Sequence, residues 1–227
     1  MRIGAFVRDA AEQLSAPQWR RLALLLFVML ATTQILLALG KPEPGETPGA
    51  AFVIAGFVRG VGLIWISVAL LRVATDSPRR RWAPDGAFWL YFALSLIALA
   101  ASALAAVVGV GLPQGVRIVL VPLIAIVLVS PLTAWTVAAA VERPLALAPA
   151  PWFRDLGAWL PSFLLLAILI VVPLASLHAR LSLALLEMAD EGGAFWGLAF
   201  ADGILSTVIV LLTLALRLAA FRSVARD

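Results

Sequence analysis

Long apolar runs alternate with short polar connectors along almost the whole of this 227-residue chain. The runs extend from Leu22 to Leu39, Ala51 to Leu71, Ala87 to Val110, Val116 to Val141, Gly157 to Leu177 and Phe195 to Leu216. A helix that crosses a hydrocarbon core about 30 Å thick needs about 20 predominantly apolar residues, because every backbone donor and acceptor must find its partner inside the segment. A barrel strand would instead alternate apolar and polar positions over about ten residues, and these runs are continuously apolar. The pattern predicts an all-α, polytopic membrane bundle of six transmembrane helices, one domain over residues 1–227. Ahead of the first run, Ile3, Phe6, Val7, Ala10, Ala11 and Leu14 recur at helical spacing, with Arg2, Arg8, Asp9, Glu12 and Gln13 between them. That segment is expected to be an amphipathic helix lying in the membrane interface.

Composition agrees with a membrane solvent. Hydrophobic residues make up 63% of the chain and charged residues 13%, against roughly half and a quarter in soluble domains. Cysteine is absent, which excludes a disulfide framework, a thiolate metal ligand and a nucleophilic thiol. Arginine supplies nearly all the cations, and with abundant alanine this bias points to a GC-rich bacterial genome and so to a bacterial inner membrane.

The net charge of +4 reports orientation and contact with anionic lipid, with no nucleic-acid partner expected. With the N-terminus inside the cell, the inner side carries Arg2, Arg8, Arg20, Arg21, Arg72, Arg79, Arg80, Arg81, Arg143, Arg154, Arg217, Arg222 and Arg226. The outer side keeps only Lys41, Arg117 and Arg180, and it gathers Glu43, Glu46, Glu187, Asp190 and Glu191. The positive-inside rule then places both termini in the cytoplasm. Ala38-Leu39-Gly40 imitates a signal-peptide cleavage site, but the stretch before the first run is too long for an ordinary n-region, so the first helix is expected to be retained.

Among the connectors, Lys41 to Gly49 is a proline- and glycine-rich turn region. The inner loop bearing Arg79, Arg80, Arg81 and Trp82 has the composition of an anionic-lipid contact, an aromatic beside a cluster of cations at the headgroup level. Small residues four apart, Gly56 with Gly60, Ala98 with Ser102 and Ala106, and Ala101 with Ala105 and Gly109, predict close helix contacts, and homo-oligomerisation is a second use for them. Pro122, Pro131 and Pro173 should bend their helices.

Two ionisable residues fall inside spans, Arg59 in the second and Asp202 in the sixth. Both helices start on the outer side, and at the rise of an α-helix Arg59 lies about 12 Å and Asp202 about 10 Å below the start of its run. An unpaired charge at that depth is costly, so Arg59 and Asp202 are expected to face each other, with Gln34 joining them through Thr33 or a water. This level is the candidate binding site of the chain, and a buried latch between two helices is its structural alternative. His178 reads as an interfacial residue at the outer end of the fifth span.

No motif for catalysis, for a cofactor or for a metal accompanies these charges. A metalloprotease pattern needs a second histidine and the chain has one. Ser130 precedes Pro131 instead of standing in a glycine-bounded turn, and no glycine-rich phosphate loop ends in Lys-Ser or Lys-Thr. The expected role is non-enzymatic, a scaffold or accessory subunit in contact with membrane lipids and with a membrane-protein partner or a second copy. The alternative is a small transporter or permease subunit using the Arg59 and Asp202 level.

The layout resembles a broad group of uncharacterised bacterial six-helix membrane proteins, similar to the membrane domain joined to some glycerophosphoryl diester phosphodiesterases. The residues that carry the resemblance are Ser77-Pro78 before the third span, Val141-Glu142-Arg143-Pro144 after the fourth, Phe153-Arg154-Asp155 before the fifth, and Ala219-Ala220-Phe221-Arg222 at the end. It implies a membrane-embedded accessory or envelope-lipid-related domain without catalytic residues of its own.

Overall fold

The computed structural model describes residues 3–42, 46–142, 153, 156–188 and 192–225. All regular structure among them is helical: α1 (Ile3–Ser15), α2 (Pro17–Leu39), α3 (Ala50–Ala74), α4 (Gly86–Val108), α5 (Gln114–Val129), α6 (Thr133–Val141), α7 (Leu156–Leu166), α8 (Val172–Glu187) and α9 (Gly193–Ala225). A 3-10 turn, Ser130–Leu132, joins α5 to α6, and a π-helical turn, Ala167–Val171, joins α7 to α8. These joined pairs make single spans, so six helices are long and apolar enough to cross a membrane. The protein is a multi-pass membrane protein. The Asp190-Glu191 carboxylate pair, Arg2, Glu43, Arg143, Arg154, Asp155 and Arg226 lie outside the described residues.

Proline chemistry accounts for both joints. Pro131 removes a backbone donor, and the chain tightens into a 3-10 turn there. Pro173 opens α8 just after the π turn, where a widened ring absorbs the missing donor. Pro122 lies inside α5 without ending it. Pro17 starts α2 at a position whose donor would be unpaired in any case.

The longest helix, α9, is the axis of the bundle, packed against α1, α2, α6, α7 and α8. Its crossing with α2 is close because Gly203 has no side chain: a Cβ there would lie 2.7 Å from Ala31 Cβ. The rings of Phe27 and Phe200 meet edge to face at the same crossing, 5.3 Å apart. Helices α4 and α5 pack on each other at the periphery. Large apolar side chains such as Phe57 (69% exposed) and Val110 (73%) face outward. In water such a surface would be an aggregation hazard; in a bilayer it meets hydrocarbon.

The amphipathic segment forms α1, but it uses part of its apolar face differently from the expectation. Phe6 and Ala10 are buried against the bundle, together with Gln13, and α9 is the main partner. Ile3, Val7 and Leu14 remain exposed. The helix therefore has two apolar stripes, one for protein and one free to enter the interface.

Arginines close the end of the bundle where α3, α6 and α9 terminate. The last carbonyls of a helix have no partner within it. Here Arg72 Nε donates to the Ala140 carbonyl at 3.0 Å, Arg79 Nε and Nη2 donate to the Glu142 carbonyl at 2.8 and 2.6 Å, and Arg222 Nη2 donates to the Ala74 carbonyl at 3.0 Å. The Ser77 hydroxyl donates to the Val141 carbonyl at 2.7 Å. The cations also oppose the negative ends of the helix dipoles. Asp76 turns the chain after α3 at φ 48°, a conformation that aspartate tolerates better than most side chains.

Candidate functional site: a polar layer between α2, α3, α8 and α9

Asp202 is fully buried in α9. Its carboxylate faces α8, where one oxygen lies 2.6 Å from His178 Nδ1 and the other accepts from the Ser182 hydroxyl at 3.2 Å. His178 and Ser182 stand one helical turn apart, as do Asp202 and Ser206, so each helix presents two polar groups on one face. Ser206 Oγ is 3.2 Å from the same Nδ1. Gln34 of α2 extends the layer, its amide donating to the Ser182 hydroxyl at 3.4 Å.

Arg59 completes the layer from α3 by another route. Its guanidinium donates to the Leu30 carbonyl at 2.8 Å and to the Thr33 hydroxyl at 3.2 Å. Thr33 in turn donates to the Met29 carbonyl at 2.8 Å. The expected direct pair between Arg59 and Asp202 is not formed. Asp202 takes its nearest partners, His178 and Ser182, from α8, and Arg59 hydrogen-bonds to Leu30 and Thr33 of α2; the two charges interact only at longer range.

His178 was expected at the outer end of the fifth span. The span runs on to Glu187, which places the imidazole well inside it. This continuation also supplies Ser182, a residue the sequence reading passed over. In sequence, Leu181, Leu183, Leu185, Leu186 and Met188 allow either a short outer-surface helix or an extension of the fifth span. The structure has the extension, which sets Ser182 on the face of His178, and the signal was the pair of polar residues at i and i+4 in each of two successive helices.

The geometry limits the chemistry. A serine nucleophile activated by histidine needs the carboxylate on one ring nitrogen and the serine on the other. Here the carboxylate and both serines crowd the same Nδ1, and Ser130 donates to its own helix at the Val127 carbonyl, 2.9 Å away. Among the described residues, no group of three His, Asp or Glu side chains converges. Ala38, Leu185, Phe195 and Ala199 pack together on the side of the layer nearer the starts of α3 and α9, and Gly203 is pressed on Ala31 beside it. The layer is a hydrogen-bonded strut between apolar contacts.

The second candidate, the loop with Arg79, Arg80, Arg81 and Trp82, divides. Arg79 is taken up by Asp85 at 3.0 Å and by the Glu142 carbonyl, so it is a structural clasp and not a free lipid contact. Arg80, Arg81 and Trp82 are exposed. Arg72, read from the sequence only as an inner cation, is the centre of the clasp. Its side chain is 1% exposed and meets Asp85 at 2.6 Å, and it also donates to the Arg80 and Ala83 carbonyls at 2.7 and 2.9 Å. Asp85 in addition caps α4 by accepting from the Phe88 N–H at 3.0 Å. Partial burial of Asp85 raises its pKa, but the Phe88 N–H and the Arg72 and Arg79 guanidiniums outweigh burial and hold the carboxyl below its ordinary value. Glu142 is pushed up by burial.

Comparison of the chain with protein-family models, with curated proteins and with solved structures gave no match.

Proposed function

We propose that the protein is a non-enzymatic scaffold or accessory subunit of a bacterial inner membrane, with both termini in the cytoplasm and a partner that is another membrane protein or a second copy. The observation that carries this reading is the self-sufficiency of the polar layer. Each Asp202 oxygen is engaged by α8, one by His178 and the other by Ser182, and the carboxylate is fully buried, so this charge holds α8 to α9 and is not open to a solute. The arginine-rich end, with Arg80, Arg81 and Trp82 exposed, suits an inner leaflet of anionic lipid. An envelope-lipid-related role, as the resemblance implies, fits the same surface.

Two measurements test the reading. Reporter fusions after Glu46 and after Arg80 should report opposite sides, with Arg80 inside. In proteoliposomes the purified protein should carry no proton or solute flux, and partners should remain with it after mild solubilisation. A flux that Asp202→Asn abolishes while the protein stays folded would replace the scaffold with the alternative, a small transporter or permease subunit working at the Arg59 and Asp202 level.

A further inference from the structure

A cavity of about 330 Å³ lies away from the polar layer, between α3, α4, α6 and α9. It exists because α3 and α4 touch little and because small residues line it: Gly60 has no heavy atom within 4 Å of where its Cβ would be, and Ala98 and Ser102 face it from α4. The small residues that predicted close helix contact thus create space instead. One charged side chain reaches the cavity, Arg217 of α9. Its Nε is buried without a hydrogen-bond partner, and among the described residues no carboxylate forms an ion pair with it. Arg217 also borders a second cavity of about 150 Å³ on the far side of Ser102 and Val129.

The lining is polarised along the bundle axis. Arg217, Ser67, Tyr91 and Thr136 lie toward the arginine-clasped end, about 8 to 12 Å from the ends of their helices there. Leu63, Leu99, Ile209 and Val210 lie about 16 to 24 Å from that end, as do Ser102 and Thr213, whose hydroxyls are donated to the Ala98 and Ile209 carbonyls of their own helices. A cationic, hydroxyl-bearing head region leading into an apolar slot has the shape of an acid with a hydrocarbon tail. The volume is at the lower end of the ~300–1,000 Å³ typical of ligand pockets, which suits one chain. Arg217 lies about 7 Å along α9 from Arg222 toward the membrane interior. That is deeper than the Arg72 and Asp85 layer, and a carboxylate attached directly to its chain seats there more readily than a glycerophosphate. The planar fork of a guanidinium matches a carboxylate with two parallel hydrogen bonds.

We propose that the Arg217 cavity binds one long-chain fatty acid from the bilayer, with the carboxylate on Arg217 and the tail in the slot between α3, α4 and α9. The site is independent of the Asp202 layer, so its failure leaves the scaffold reading untouched. The test uses the full chain in phosphatidylcholine vesicles with a palmitate analogue that carries a photoreactive diazirine in its tail. Cross-links should map to the Leu94 to Ser102 stretch of α4 and to Ile209 to Leu214 of α9, and oleate should compete them away. Arg217→Gln should weaken labelling about tenfold or more, the loss expected for a charge-assisted pair, and Arg217→Lys should weaken it less. Ala98→Phe, which fills the slot without touching the charge, should abolish labelling, and it decides the question alone if Arg217→Gln does not fold. Labelling indifferent to Ala98→Phe overturns the proposal. So does competition by phosphatidylglycerol as effective as by oleate, which would assign the cavity to a phospholipid.

Discussion

Removing the Asp85 carboxylate should unfold the arginine-clasped end first. Arg72 is 1% exposed at its side chain and makes its shortest contact, 2.6 Å, with Asp85. Taking away one partner of a buried pair leaves the other charge uncompensated, at about 3–5 kcal/mol. Asp85→Ala also removes the acceptor for the Phe88 N–H, a cap loss of about 1 kcal/mol. Against this, Arg72 keeps the carbonyls of Arg80, Ala83 and Ala140, which solvate the stranded guanidinium and hold the cost toward the lower figure. Asp85→Asn separates the two contributions, because asparagine caps a helix as well as aspartate but carries no charge. For a chain of this size each kcal/mol corresponds to about 2–4 °C. Asp85→Ala is therefore expected to lower the midpoint by about 10 °C in detergent, followed by the loss of the monodisperse peak on size exclusion after heating. Asp85→Asn should lose somewhat less, and Arg72→Met with Asp85→Asn should be milder than Arg72→Met alone. A midpoint for Asp85→Ala within about 2 °C of the parent, on the same scale, would refute the clasp as a stabilising element.

The same carboxylate sets a pH dependence. Its pKa is lowered in the folded state, so its contribution is complete above the ordinary carboxylate value of about 4 and is lost as pH falls through the lower folded value. The midpoint difference between parent and Asp85→Asn should hold steady from pH 7 to 5 and close in strong acid; a difference that widens on acidification contradicts the assignment. In the polar layer, His178→Ala leaves the fully buried Asp202 without its closest partner and should cost about 1.5–3 kcal/mol, the worth of a hydrogen bond to a charged group, while adding Asp202→Asn should recover part of it in a double-mutant cycle of thermal midpoints. Gly203→Ala places a methyl 2.7 Å from Ala31 Cβ and should destabilise by about 1–3 kcal/mol. Ala31→Gly should relieve it, and additive effects would show that the two do not touch.

The amino-acid order by itself determined that this is a bundle of six apolar helices, because each helix in hydrocarbon must satisfy its own backbone and so shows itself as an apolar run, but it did not settle how far each helix runs: the fifth extends past Leu177 to Glu187. It also marked Arg59 and Asp202 as charges that need company. Which company they keep was decided only by the tertiary structure. A charge in a span can be satisfied by a residue from any neighbouring helix, and the choice depends on how each helix is rotated about its axis, which an all-apolar run scarcely encodes. Thus Asp202 turned to His178 and Ser182, Arg59 turned to Leu30 and Thr33, and Arg72, one of several loop-side cations in sequence, became the hub of a helix-end clasp. The small residues Gly60, Ala98 and Ser102 make the same point: spacing shows where backbones can approach, and only the packed bundle decides whether another helix or a cavity fills the gap.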